Sequence, residues 1–115
     1  GIVVSGDYAY LAAWATSSFA VIDISDPTTP SITDSILGDT TNLNWAHHVA
    51  VVGDRAYVTA ILNDAITTIN IANKANISVI EKDSIVIQFN GVNKPIVIRG
   101  LGDSLFTYLT MPLTR

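Results

Sequence analysis

Val4-Ser5-Gly6-Asp7-Tyr8-Ala9-Tyr10-Leu11 returns 47 residues later as Val51-Val52-Gly53-Asp54-Arg55-Ala56-Tyr57-Val58. Across the eleven positions from Val3 to Ala13, set against Ala50 to Ala60, six residues are identical. Self-similarity at a spacing of roughly 20–50 residues marks a repeat architecture, in which each unit buries its faces against its neighbours. Repeat scaffolds carry unrelated functions on their loops, so this feature constrains the fold far more than the chemistry.

The pattern inside each copy is that of short strands. β-branched and aromatic residues come in runs of four to seven, divided by Gly, Asp, Asn and Pro, and nothing has the length or period of a helix. Hydrophobic residues make up 49% of the chain, which suits strands covered on both faces. The first unit reads as strands at 2–4, 8–13, 19–24 and 31–37. Gly6-Asp7 supplies its first turn, because Gly reaches a positive φ without a steric penalty. Asp26-Pro27-Thr28-Thr29-Pro30 supplies the last, since each proline lacks an amide donor and fixes φ. The second unit repeats the order at 49–52, 55–61, 66–71 and 77–82. Ile22-Asp23-Ile24 faces Ile69-Asn70-Ile71, and Asp26 faces Asn73. A third unit begins at the strand 96–98, with a Gly102-Asp103 turn; 85–89 is a further strand candidate followed by an Asn90-Gly91 turn. Four antiparallel strands per repeat of this length form a β-propeller blade. The fold expected is therefore all-β: an incomplete propeller in one domain spanning 1–115, with blade 1 at about 2–37, blade 2 at about 48–83 and the start of blade 3 at about 95–109.

Composition removes several function classes. The net charge is −4 and the six basic residues are scattered, so the concentrated positive surface that nucleic-acid binding requires is absent. There is no cysteine, hence no disulfide framework and no thiolate metal site. No apolar run approaches the roughly 20 residues that span a bilayer as a helix. No P-loop, dinucleotide glycine motif, nucleophile elbow or paired metal-ligand helix motif occurs, and the sequence calls for no cofactor and no catalytic residue. Gly1 in place of an initiator methionine reads as an excised piece of a longer protein.

Five residues stand out as ligand-binding candidates. In a propeller, the loop between the second and third strands shares a rim with the connection into the next blade. That topology gathers Trp14, Trp45, His47, Asn63 and Asp64 at one rim and sends the Gly-Asp and proline turns to the other. Two tryptophans with a carboxylate and an amide suit a sugar ring or a peptide; the competing reading makes each tryptophan a cap on the layer between blades. His47 and His48 are neighbours, and strand alternation would point them to opposite faces, so they would not hold one metal together. Asp7, Asp54, Asp23 and Asp26 read as turn formers that hydrogen-bond nearby backbone. Tyr8, Tyr10 and Tyr57 read as packing between blades.

The run Gly6-Asp7-Tyr8-Ala9-Tyr10-Leu11-Ala12, then Val21-Ile22-Asp23-Ile24-Ser25-Asp26-Pro27 with Thr29-Pro30, and Ala46-His47-His48-Val49-Ala50-Val51, resembles the LVIVD repeat. The resemblance is good over 2–60, weak over 61–83, where Asn73-Lys74-Ala75-Asn76-Ile77 replaces the Asp-Pro turn, and confined to the Gly-Asp turn in 95–109. It implies a β-propeller interaction module in a secreted or cell-surface protein, contacting protein or carbohydrate, and supplies no catalytic residues. The alternative is a propeller enzyme with its site in the central channel, to which His47 and Asp64 would contribute. Open blade faces predict that the chain pairs with the remaining blades of a parent chain or with itself.

Overall fold

The computed structural model describes residues 1–87 and 96–98. The Asn90-Gly91 turn and Asp103 lie outside the described residues. The chain divides after Lys82 into two units.

In the first unit the repeated Gly-Asp pairs open the two hairpins that organise everything else. Gly6 and Gly53 adopt φ of 60° and 56°, at the first central position of a two-residue turn. That is the position glycine takes in a type II′ turn, whose twist matches the strands it joins. Asp7 and Asp54 contribute through their main-chain carbonyls, which accept the amides of Ile24 and Ile71 at 2.8 and 2.9 Å. The carboxylate-to-backbone bonding expected of these two aspartates is not what holds the turns. The carbonyl sits at the hairpin tip, where the end of the third strand can reach it.

From these hairpins grow two antiparallel sheets. The first has the order β1 (Ile2–Ser5), β2 (Tyr8–Ala13), β3 (Ser18–Asp23) and β4 (Ser31–Ile36). The second runs β5 (Ala46–Val52), β6 (Arg55–Ala60), β7 (Ala65–Asn70) and β8 (Ser78–Ile87). The two Gly-Asp hairpins thus belong to different sheets, as blades require. Helical content among the described residues is limited to two single 3-10 turns, Trp14–Thr16 and Ile61–Asn63, where the sequence suggested plain loops.

The second unit is described where Ile85, Val86 and Ile87 at the end of β8 pair with Ile98, Val97 and Ile96 of β9 (Ile96–Ile98). Ile85–Ile87 continues β8, where the sequence had suggested a separate strand.

At Asp23 and Asp26 the expected bonding of a turn carboxylate to nearby backbone is found. Asp23 Oδ1 accepts the Ser25 amide and hydroxyl at 2.8 and 2.6 Å; Asp26 Oδ1 accepts those of Thr28 at 3.0 and 2.7 Å. In the second sheet Asn70 accepts the Ala72 amide at 2.9 Å and Asn73 that of Ala75 at 3.0 Å. The Ser25 hydroxyl, then its amide, holds the Asp23 carboxyl below its ordinary range; the Thr28 hydroxyl and amide, and then Thr29, do the same for Asp26. A lowered folded-state value means the stabilisation is complete above the ordinary aspartate range and is lost as pH falls through the lowered value. Asp26→Ala should therefore lower the melting temperature at neutral pH, and the difference from the parent should shrink as pH falls through the lowered value and the charge is lost. Asp26→Asn, copying Asn73, should keep the turn in both conditions. Thermal melts at neutral and acid pH test this; an Asp26→Ala deficit of the same size in both would show that the charge of the carboxylate is not responsible.

The two sheets of the first unit pack face to face. Cross-strand partners share a face, so Val3, Tyr10 and Val21 line up with Ala12, Phe19 and Ile36 on one side of the first sheet. Tyr10 and Phe19 stack at 6.4 Å and are fully enclosed. Opposite them the second sheet presents Val49, Val51, Ala56, Val58 and Ile69, joined in one core by Leu43, Ala46, Ile71 and Ile77. Polar bonds close the edge of this sandwich. A bulge in β4 leaves Thr33 without a cross-strand partner, and its hydroxyl reaches the Lys74 carbonyl at 2.6 Å. Asp34 Oδ2 accepts the Ile77 amide at 2.8 Å. The Lys74 ammonium donates to the Ile71 carbonyl at 2.7 Å and lies 5.6 Å from the Tyr8 ring centroid, close enough for a cation–π attraction.

Candidate functional site

The rim begins with the connection 38–45, which carries the chain from the first sheet to the second. Gly38 turns it at φ 61°. The Gly38 amide donates to Ser18 Oγ at 3.0 Å, and the Asp39 amide to the Ser17 carbonyl at 2.9 Å. Asp39 then folds the connection on itself: Oδ1 accepts the Thr41 and Asn42 amides at 3.1 Å each, and its carbonyl accepts the Leu43 amide at 2.8 Å. Leu43 is fully buried.

From the other side, the second sheet grips the same connection. Asn63 Oδ1 accepts the Asn44 amide at 2.9 Å while its Nδ2 donates to the Thr40 carbonyl at 3.2 Å. The Thr67 hydroxyl donates to the Asn42 carbonyl, and the Lys82 ammonium to that of Thr41 at 2.9 Å. The amides of Ile61 and Leu62 reach the carbonyls of Trp45 and Asn44 at 3.3 and 3.2 Å.

This clamp sets Trp45 beside Trp14. Their rings meet edge to face at 5.1 Å, although the residues come from different sheets' loops. Such a pair contributes about 0.5–1.5 kcal/mol beyond the area it buries. Trp14 is 52% exposed and Trp45 43%. Trp45 also holds φ at 57°, a left-handed conformation that costs a side-chain-bearing residue roughly 1–2 kcal/mol and that collects at ligand-contacting positions. Ile61 and Leu62, exposed on the adjoining 3-10 turn, extend the apolar surface. Sequence reasoning does not single them out, because Ile61 reads as the end of a buried strand and Leu62 as the start of a plain loop.

The other sequence candidates take separate roles. Asn63 is committed to the clamp by both ends of its amide. Asp64 is exposed and caps its 3-10 turn at φ 50°, donating its amide to the Ile61 carbonyl at 3.2 Å. His47 stacks on His48 at 4.3 Å with ring planes 12° apart. Strand alternation fails there: Ala46 pairs Ala60 and Val49 pairs Val58, so His47 and His48 together face Thr59 across a bulge. The His48 amide turns to the Thr59 hydroxyl at 3.0 Å. The expectation that the two rings point to opposite faces is thereby corrected. They still do not converge on one ion, because imidazole lone pairs lie in the ring plane and these planes run nearly parallel. Among the described residues no group of three His, Asp or Glu is placed to hold a metal, and no helix is long and apolar enough to cross a membrane.

A second feature lies on the outer face of the second sheet. His48, Val49, Ala50, Tyr57, Thr59 and Ile66 line a hollow of about 200 Å³.

Successive four-stranded sheets, packed face to face at a fixed sequence spacing, define a propeller-like repeat module. Residues 1–37, which span the first sheet and its turns, match the family model of the LVIVD repeat. No curated protein and no solved structure matches the chain.

Proposed function

We propose that this chain is a non-enzymatic interaction module of a secreted or cell-surface protein, binding protein or carbohydrate through the rim that carries Trp14, Trp45, His47, Asn63 and Asp64. One observation carries the reading: two half-exposed tryptophans are brought together at 5.1 Å by a connection whose polar groups are almost all spent on holding it. A chain has little reason to keep Trp45 in a strained backbone and leave its ring in water unless the ring meets something. The Asn63 amide is already used, so the ligand would meet Trp14, Trp45 and their apolar neighbours first, with Asp64 and His47 as polar contacts at the margin.

Immobilised glycans and a displayed peptide library, screened with the chain, test the proposal. Trp14→Ala and Trp45→Ala should each weaken capture by about 30-fold, the loss of one hot-spot aromatic, while lowering the melting temperature only by the few degrees that the lost edge-to-face contact accounts for. Trp45→Gly should bind as poorly as Trp45→Ala yet melt higher, because glycine removes the left-handed penalty. If both alanine variants unfold early, the tryptophans are caps on the sandwich and the rim is not a binding surface.

A further inference from the structure

The tryptophan rim leaves few of its hydrogen-bonding side chains to a ligand. On the Trp14 side the Ser17 hydroxyl donates to Asn44 Oδ1 at 3.5 Å and the Ser18 hydroxyl to the Thr16 carbonyl at 3.0 Å. On the Trp45 side Asn63 is engaged at both ends of its amide, and the Thr67 hydroxyl is held on the Asn42 carbonyl. Both carboxylate oxygens of Asp39 are taken up within the connection, Oδ2 by the Asn42 side-chain amide at 2.9 Å. A sugar is recognised through its hydroxyls, and each hydroxyl covered without a hydrogen bond weakens the complex.

The rings themselves are set against a flat ligand. At 64° and 5.1 Å the edge of one indole covers part of the face of the other. The pair is therefore a step between two inclined planes, not a platform on which a pyranose could lie. Ile61 and Leu62 continue the step with exposed aliphatic surface. Their turn is fixed to the connection through the Trp45 and Asn44 carbonyls, so this apolar surface comes with the pair. Large apolar side chains exposed together mark protein-contact surfaces, and tryptophan is enriched at the positions that carry such contacts.

Charge narrows the partner further. Asp39 in the connection and Asp64 in the turn outnumber Lys82, whose ammonium is held on the Thr41 carbonyl at 2.9 Å, and the chain as a whole carries a net charge of −4. Asp64 follows Asn63 directly and is exposed. Its amide is used in the turn, while its carboxylate makes no hydrogen bond or ion pair among the described residues. A carboxylate at the margin of an apolar step favours a cation beside the group that covers the step.

Resting on the reading of this rim as a binding surface, we infer that its occupant is a protein segment and not a carbohydrate. An aliphatic or aromatic side chain of that segment sits on the Trp14–Trp45 step beside Ile61 and Leu62, and a neighbouring lysine or arginine reaches Asp64. The apolar anchor supplies the affinity, because it covers surface that has no polar demand of its own. The basic residue selects among partners that carry such an anchor, since an acidic neighbour would meet Asp64 with like charge.

The test screens the full chain against phage-displayed random peptides and against a glycan array, then titrates the soluble hits while following indole emission. The selected peptides should share one aliphatic or aromatic residue with a lysine or arginine close by. They should shift the emission of Trp14 and Trp45, the chain's two tryptophans. Serine in place of the apolar residue of a selected peptide should weaken it about 30-fold, the loss of one anchor. Asp64→Asn should weaken the unaltered peptide about 2–5-fold, the size of an exposed ion pair, and should flatten the loss of affinity as salt is raised. Asparagine accepts the left-handed backbone of this position, so melting should match the parent. Glycans that shift the emission, and lose capture in Trp45→Ala, while no peptide is selected would overturn this inference and leave the rim a binding surface. Selected peptides without a basic residue, or peptides bound equally by Asp64→Asn, would overturn it too. If neither class of probe shifts the emission, the reading of the rim as a binding surface falls together with it.

Discussion

Phe19→Ala is expected to remove about 3–5 kcal/mol of stability, the range for truncating a fully enclosed phenylalanine. The side chain has no exposed surface, stacks on Tyr10 and lies opposite Ala12 and Ile36 on the flanking strands. Both sheets lose by the truncation, because the ring fills the layer between them and small neighbours such as Ala12 and Ala56 cannot spread into the space. Domains of this size are stable by roughly 5–15 kcal/mol, so a third or more of the total is at stake. For a unit of this length each kcal/mol moves the melting temperature by about 4–8 °C, and the shift should exceed about 12 °C. Ile66→Ala is the internal control. It occupies the same place in the second sheet, but on the face turned away from the core, where it is only half-buried at the edge of the hollow. Its effect should be less than half that of Phe19→Ala in the same thermal melts. Equal losses would mean that the two faces are equally covered, and the assignment of a packed and an open face would fail.

The contrast between Phe19 and Ile66 is one the sequence hides, since both sit in the middle of an apolar strand. What could be read without coordinates was what local chemistry decides. Gly6 and Gly53 mark hairpins because few other residues accept their φ, and that alone placed the first two strands of each sheet. Asp23, Asp26, Asn70 and Asn73 could be read as one device, since an aspartate and an asparagine offer the same acceptor oxygen to the amide two residues on. What could not be read depends on partners from elsewhere in the chain. Alternation misplaced His47 and His48 because a bulge is defined by the strand opposite, and only the pairing with Val58 and Ala60 reveals the extra residue. The sequence suggested separate strands at 77–82 and 85–89, yet β8 runs without a break from Ser78 to Ile87. For the rim, loop order correctly brought Trp14 to Trp45, but the left-handed φ of Trp45 and the commitment of Asn63 come from a clamp built by two sheets at once.

Leu43 shows the same limit with the larger functional consequence. In the run Gly38-Asp39-Thr40-Thr41-Asn42-Leu43-Asn44-Trp45 it is a lone aliphatic among turn formers, and such a stretch reads as a solvated loop. It is instead fully buried in the common core. Its neighbours on either side are tied to the second sheet, Asn42 through the Thr67 hydroxyl and Asn44 through Asn63 and Leu62. Leu43 is thus the side chain that anchors the connection while those bonds set its direction. Leu43→Ala should cost about 2–5 kcal/mol by the cavity it leaves. It should also act on the rim. Once the anchor is gone, only the hydrogen bonds of the clamp hold the backbone at Trp45, and a bulky residue relaxes from the left-handed region when it can. The Trp14–Trp45 contact should then loosen in the still-folded protein, and ligand capture should fall with it. The chain's two tryptophans are the members of this pair, so indole emission reports on the rim directly. Leu43→Ala should shift that emission to longer wavelength below the unfolding transition. Leu43→Met, close in volume, should cost less than about 1.5 kcal/mol and leave emission and capture unchanged. Unaltered emission in a folded Leu43→Ala protein would show that the rim holds its shape without this anchor, and that the hydrogen-bond clamp alone positions Trp45.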